Sequence, residues 1–303
     1  MLKRNITGFL LGCAIATCIV ITYASYQLYQ YKYVTIDKTL TEISGIEFDK
    51  NMKLWAINDG GDKAKLYQVD KSGEVKKTIT ITNAKNIDWE DMTQDDFGHF
   101  FLGDFGNNEN LRKWLTIYKI ENPIDIKGNT TQAEIIKFNY PEHQTFPPTD
   151  ENKEFDVEAF IYYKKHLYLF TKNRTTPFNG ITTLYKIGDH AANFDAEKLS
   201  TFKTCTLAEK LCWITSAALS PSRKRLALLD SQRIWLFENW QGDDFFSGDV
   251  YQIDLGIVTQ KEAITFYNED YIVFTDEEFH GIGRNAYVIN LKEIKMTKVV
   301  NKR

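Results

Sequence analysis

The chain has 303 residues, 43% of them hydrophobic and 26% charged, so it can bury a sizeable core. Net charge is -4 with a pI near 5.8 and no long basic run, which excludes nucleic acid as a partner because phosphate binding needs clustered Lys and Arg. Six Trp, sixteen Tyr and twenty Phe favour packed sheets over disorder.

Lys3 and Arg4 precede an uncharged, mostly apolar run from Ile6 to about Tyr26. As a helix rising about 1.5 Å per residue, the run would be about 30 Å long, enough to cross a hydrocarbon core. The two cations then leave the rest of the chain outside the cytoplasm. An uncleaved signal anchor is the favoured reading, because the run exceeds a usual signal h-region. A cleaved signal ending near Thr22-Tyr23-Ala24 is the first alternative. The second is a lipoprotein box, which Leu10-Leu11-Gly12-Cys13 loosely resembles, although apolar residues continue past Cys13. All three readings export the chain. The expected organisation is an anchor and linker over residues 1–33 and one domain over 34–303. That domain would sit at the cell membrane, facing the periplasm or the cell surface.

Beyond Tyr33 the chain becomes short strands punctuated by turn residues. Gly45 to Phe48, Lys53 to Ile57, Lys65 to Val69 and Val75 to Ile81 make the first group, with Asn58-Asp59-Gly60-Gly61 and Lys71-Ser72-Gly73 as turns. Second strands recur at His99 to Phe105, His166 to Thr171, Arg225 to Leu229 and Tyr271 to Thr275. Third strands recur at Thr116 to Ile120, Thr183 to Ile187, Arg233 to Phe237 and Asn285 to Ile289. Ala133 to Tyr140, Lys198 to Thr206, Asp249 to Leu255 and Met296 to Val300 are the candidate outer strands. Gly128 to Glu154 and Thr175 to Gly180 read as surface loops. Cys205 and Cys212 lie outside the apolar run, either as a disulfide or as two buried thiols; sequence leaves both open.

Five segments superimpose at the starts of these groups: Glu42 to Ile46, Asp88 to Met92, Asp156 to Phe160, Ile214 to Ala218 and Gln260 to Ile264. The spacing is that of a repeat architecture, and four short antiparallel strands per unit make a propeller blade. The fold expected is therefore all-β, a five-bladed β-propeller of four-stranded antiparallel blades behind an N-terminal transmembrane or signal helix. Tyr33 to Asp37 is the candidate to pair with the last blade and lock the ring.

The middle positions of the five segments are Ser44, Glu90, Glu158, Ser216 and Glu262. In a closed ring they face one axis, where three carboxylates repel one another unless a cation joins them. Hard oxygen ligands suit Ca2+, with Mg2+ second. The competing reading is a water-filled polar channel. The loops after the second strands should rim the mouth above the axis. They offer Asp59, Asp104, Asn107, Lys172, Arg174, Asp276 and Glu277 as contacts for a polar ligand, unless Asp, Asn and Gly there only make turns. Asp88, Glu90 and Asp91 are adjacent, but alternation along a strand would point Glu90 away from its neighbours. No His-Glu-x-x-His, phosphate loop or Gly-x-Ser-x-Gly elbow occurs.

Ile43-Ser44-Gly45-Ile46, Val157-Glu158-Ala159-Phe160 and Thr275-Asp276-Glu277 resemble the SdiA-regulated family of exported bacterial propellers, over most of residues 34–303. The ring positions alone are similar to the calcium-activated apyrases, and that resemblance implies a bound calcium. Where an apyrase carries an arginine-containing mouth segment, this chain has Asn58-Asp59-Gly60-Gly61-Asp62. The function expected is thus a tethered, non-catalytic module binding structural Ca2+ and a polar ligand or protein partner. A Ca2+-dependent phosphohydrolase or related esterase is the alternative, with Lys172 and Arg174 steadying negative charge.

Overall fold

The computed structural model describes residues 31–205, 208–256 and 258–299. The expected N-terminal helix lies outside these residues, and no helix among the described residues is long and apolar enough to cross a membrane.

Five small sheets follow one another along the chain, each running from an inner strand outward. Blade one comprises Ile43–Phe48, Leu54–Asn58, Lys65–Val69 and Val75–Ile81. Blade two comprises Trp89–Gln94, Phe100–Asp104, Leu115–Ile120 and Glu134–Asn139. Blade three comprises Asp156–Tyr163, His166–Lys172, Ile181–Gly188 and Glu197–Lys203. Blade four comprises Ser216–Leu219, Arg225–Leu229, Arg233–Glu238 and Asp249–Asp254. Blade five comprises Lys261–Phe266, Tyr271–Asp276 and Asn285–Asn290, and its fourth strand is Lys32–Thr35 from the other end of the chain.

That N-terminal strand pairs antiparallel with Asn285–Asn290, so the lock expected near Tyr33 is present. It also corrects two readings. Lys32 and Tyr33, taken as linker, belong to the domain. Met296 to Val300 does not complete blade five; Thr297–Val299 instead pairs with Asp249–Asp254 on the outside of blade four, because the last position of blade five is already filled. Blades one and two also gain short parallel edge strands, Thr130–Thr131 and Asn193–Asp195, so those two sheets are not purely antiparallel.

Ring closure is visible in the packing. One apolar cluster fills each junction between neighbours: blades one and two around Trp55 and Phe100, two and three around Phe101 and Phe160, three and four around Phe170 and Phe237. Leu229 and Phe274 join blades four and five, and Ile43, Ala56, Ala263 and Ala286 join five to one. Inner strands are buried on both faces, as in Asp156–Tyr163, because sheets cover them on each side. Neighbouring inner strands come so close that a Cβ on Gly45 would lie 2.9 Å from the Met92 amide nitrogen.

Inner strands of adjacent blades do not share a ladder, and their backbone groups still need partners. Side chains supply them. The Asp91 carboxylate, wholly buried, accepts from the backbone N–H groups of Phe160 (3.1 Å) and Ala217 (3.3 Å) and from the Ser216 hydroxyl (3.1 Å), joining blades two, three and four. The Ile264 N–H donates to Ser216 Oγ (3.2 Å), which extends the chain of bonds to blade five. Ser44 Oγ donates to the Glu90 carbonyl, tying blade one to blade two. Asp91→Ala leaves buried donors without acceptors and should lower unfolding free energy by about 2–5 kcal/mol in urea titrations; a loss under about 1 kcal/mol would show that packing alone joins the blades.

Candidate functional site

The starts of the inner strands of blades one, two, three and five open onto a cavity of about 720 Å³ at one end of the ring axis. Ladder register shifts at Ser44, Glu90, Glu158 and Glu262, each of which is the extra residue of a bulge. A bulge bends its strand and re-aims the side chain there. In this way four blades deliver one polar side chain each to the cavity. Blade four has no such shift, and Ser216 opens a regular strand.

Of the five ring residues, Ser44, Glu90, Glu158 and Glu262 line the cavity. Ser216 lies deeper, its hydroxyl engaged with Asp91 and Ile264. Of the residues expected at the mouth, Asp59, Lys172, Arg174 and Glu277 also line it. Three others do not. Asp104 is fully buried and accepts from the Asp88 N–H (3.0 Å) and from Arg112. Asn107 bonds to Asp156, Phe155 and Arg112. Asp276 accepts from the Asn285 N–H (2.8 Å) and the Tyr287 hydroxyl (2.7 Å). These three hold turns and strand ends.

The two cations of blade three reach the axis. Lys172 Nζ lies 2.8 Å from Glu158 Oε2, and Arg174 bonds Glu158 Oε1 at 3.1 Å and Asp156 Oδ2 at 2.7 Å. Arg174 also donates to Asn108 Oδ1. Both cations lie over the ring of Trp213, at 5.3 and 4.4 Å from its centroid. Trp213 was not foreseen from sequence. It follows directly on Cys212, which forms a disulfide with Cys205 (Cα atoms 5.5 Å apart), and its indole N–H donates to the Asn173 carbonyl. The clipped loop thereby fixes one wall of the cavity.

Acid outweighs base here. Burial raises Asp59 to about 7 and Glu262 to about 8; Glu158 adds repulsion to both. Glu277 rises to about 9 through burial and repulsion from Glu262 and Asp59. Glu90 is pushed well up by burial, then by Glu158 and Asp59, and its carboxyl is hydrogen-bonded to Glu158. Glu158 behaves oppositely: burial opposes its charge, but Lys172 and Arg174 outweigh burial and hold it below the usual carboxylate range. Lys172 is itself raised, its burial overcome by Glu158, Glu262 and Glu90.

One group of carboxylates feels the charge of these cations without bonding to them. Asp59, Asp88 and Glu90 place oxygen atoms within 4.8 Å of one another. No ion pair or hydrogen bond joins Lys172 or Arg174 to any of the three. A Cβ on Gly106 would collide with Glu90 and Asp88, so the glycine there leaves room beside the cluster. Asp88 immediately precedes the strand that begins at Trp89 and lies two residues from Glu90, a spacing that places both on one face. Asp91 follows the alternation and points into the blade junctions.

No family model and no curated protein matches the chain, so the resemblance to the SdiA-regulated and apyrase families rests on the residues quoted for it. Solved structures with a similar fold include a streptogramin B lyase, 12% identical over 89% of this chain and 87% of that one, with TM-score 0.45. A gluconolactonase from Xanthomonas campestris is 10% identical over 82% of this chain and 72% of that one, with TM-score 0.44. A nidogen/laminin complex is 12% identical over 77% and 72%, with TM-score 0.44. The five-bladed assignment comes from the strand order of the sheets, not from these likenesses.

Asp59, Glu262 and Glu277 hold protons in the fold that an unfolded chain releases above its ordinary carboxylate range. Stability of chelator-treated protein should therefore fall as pH rises from about 5 to about 9. Glu262→Gln and Glu277→Gln together should flatten that slope in thermal melts; an unchanged slope would place the lost protons elsewhere.

Proposed function

We propose that the chain is an exported, membrane-tethered propeller that binds a divalent cation, Ca2+ foremost, in its mouth and holds a polar ligand or protein partner beside it without catalysis. The observation that carries this reading is the Asp59, Asp88 and Glu90 cluster, three converging carboxylates with no cationic side chain bonded to them. Ca2+ prefers a set of oxygen ligands of this kind, completed by backbone carbonyls and water. Its charge would replace the protons that burial and mutual repulsion now favour on Asp59 and Glu90. The cation site proposed is thus displaced from the axis. Lys172 already supplies positive charge to Glu158 there, and the hydroxyls of Ser44 and Ser216 are engaged between blades.

Support for export and tethering comes from Lys3-Arg4 and the uncharged run after them, and from the Cys205–Cys212 disulfide, which suits an oxidising compartment. The hydrolase alternative is less well supported, since Lys172 and Arg174, the groups it needs for transition-state charge, are paired with Glu158 and Asp156.

Calorimetric titration of the full chain in detergent, first stripped with chelator, should show one Ca2+ site whose binding releases protons. Asp88→Asn should weaken it at least about tenfold, a loss of about 1.4 kcal/mol, while Ser216→Ala leaves it unchanged. Absence of binding heat and of any thermal shift in Ca2+ would remove the reading. Chelator-sensitive phosphate release from nucleoside triphosphates would restore the hydrolase.

A further inference from the structure

We propose that the end of the propeller opposite the mouth rests on the lipid bilayer through an apolar groove at the junction of blades five and one, leaving the mouth directed away from the membrane. This rests on the tether proposed above and adds to it an orientation and a contact surface.

The groove encloses about 820 Å³, and Tyr33, Met52, Tyr267 and Tyr271 form its exposed lip. Aliphatic side chains of this junction, Val34, Ile36, Val273, Ala286 and Val288, line it. Its position follows from strand direction. Inner strands start at the mouth, so the hairpin at Asp49 to Lys53 and the one at Tyr267 to Asp270 lie at the far end. Lys32–Thr35 runs antiparallel to Asn285–Asn290, which itself descends from the mouth, so the chain enters the domain at that far end too. Lys32, at the described end of the chain that follows the apolar run, therefore lies toward the face that carries the groove.

The linker leaves little freedom. Four residues lie between Tyr26 and Tyr31, and the five Cα steps that join the two reach at most about 18 Å fully extended. A domain of this size is roughly 45 Å across, so it cannot turn its mouth to the bilayer on such a tether. The lip has the make-up of a membrane interface: tyrosines and a methionine for the headgroup boundary, with Lys53 and Lys71 beside them for anionic lipid. Phe97, 75% exposed on the corresponding hairpin of blade two, adds an aromatic on the same face. The mouth also exposes apolar side chains, Phe279 and Ile282 among them, but the chain does not enter there.

The test uses the full chain carrying Cys13→Ser and Cys18→Ser, with a polarity-sensitive fluorophore attached at Met52→Cys, Tyr267→Cys or Ile282→Cys. Each is reconstituted into phosphatidylcholine vesicles containing phosphatidylglycerol and a headgroup-level nitroxide lipid. Quenching at positions 52 and 267 should exceed that at 282 at least about threefold. Equal quenching at all three positions, in chains that float with the vesicles, would overturn the proposed face while leaving the tether intact. Failure to float would remove tether and face together. Tyr267→Cys serves as the independent reporter should Met52→Cys fold poorly.

Discussion

A propeller of this kind depends on holding together strands that cannot pair. The inner strands of neighbouring blades converge on the axis without a shared ladder, and their amide groups are cut off from bulk water. The Asp91 carboxylate answers that problem for three blades at once, and Ser216 passes the connection to a fourth. Burial drives the Asp91 pKa well up even though several N–H and O–H groups donate to it, so desolvation is the dominant influence on this residue. Apolar packing between sheets closes the ring; these polar stitches fix how the strands meet, and with them the aim of every side chain at the mouth.

The same convergence concentrates charge. Each bulge that turns a carboxylate inward also brings it toward carboxylates from other blades. Two cations from blade three neutralise one side of the cavity, leaving the side built by blades one and two acidic. Glu90 joins the halves, hydrogen-bonded to Glu158 on one flank and clustered with Asp59 and Asp88 on the other. A small cation arriving beside Asp88 would change the proton balance across the whole mouth, since these groups repel one another through a poorly solvated space.

Much of this was legible in the sequence. Aligning Ser44, Glu90, Glu158, Ser216 and Glu262 gave the blade count and the inner strands, because a polar residue repeated at one strand position is hard to produce without repeated geometry. The bulges were not legible, since a register shift leaves no mark when alternation is assumed. Lys172 was read as a rim residue, yet its long side chain leans from the end of its strand back to the axis, where it ion-pairs with Glu158. Asp104 and Asp276 share the sequence context of Asp59, but an arginine of the following loop captures the first and a tyrosine of the neighbouring strand the second. Trp213 carried no periodic signal at all. Met296 to Val300 was misplaced because chain order alone assigns the last strand to the last blade.

Blade five is completed by a strand that precedes blade one in the chain, and this orders the assembly in time. Lys32–Thr35 must wait for Asn285–Asn290, so the ring remains an open arc until the last blade has been made. Asp59, Asp88 and Glu90 come from the first two blades and can assemble on that arc, whereas Glu262 and Glu277 join them only at the final joint. An ion captured early would already be seated when the last two acids arrive, sparing the nascent chain the mutual repulsion of a fully acidic vestibule.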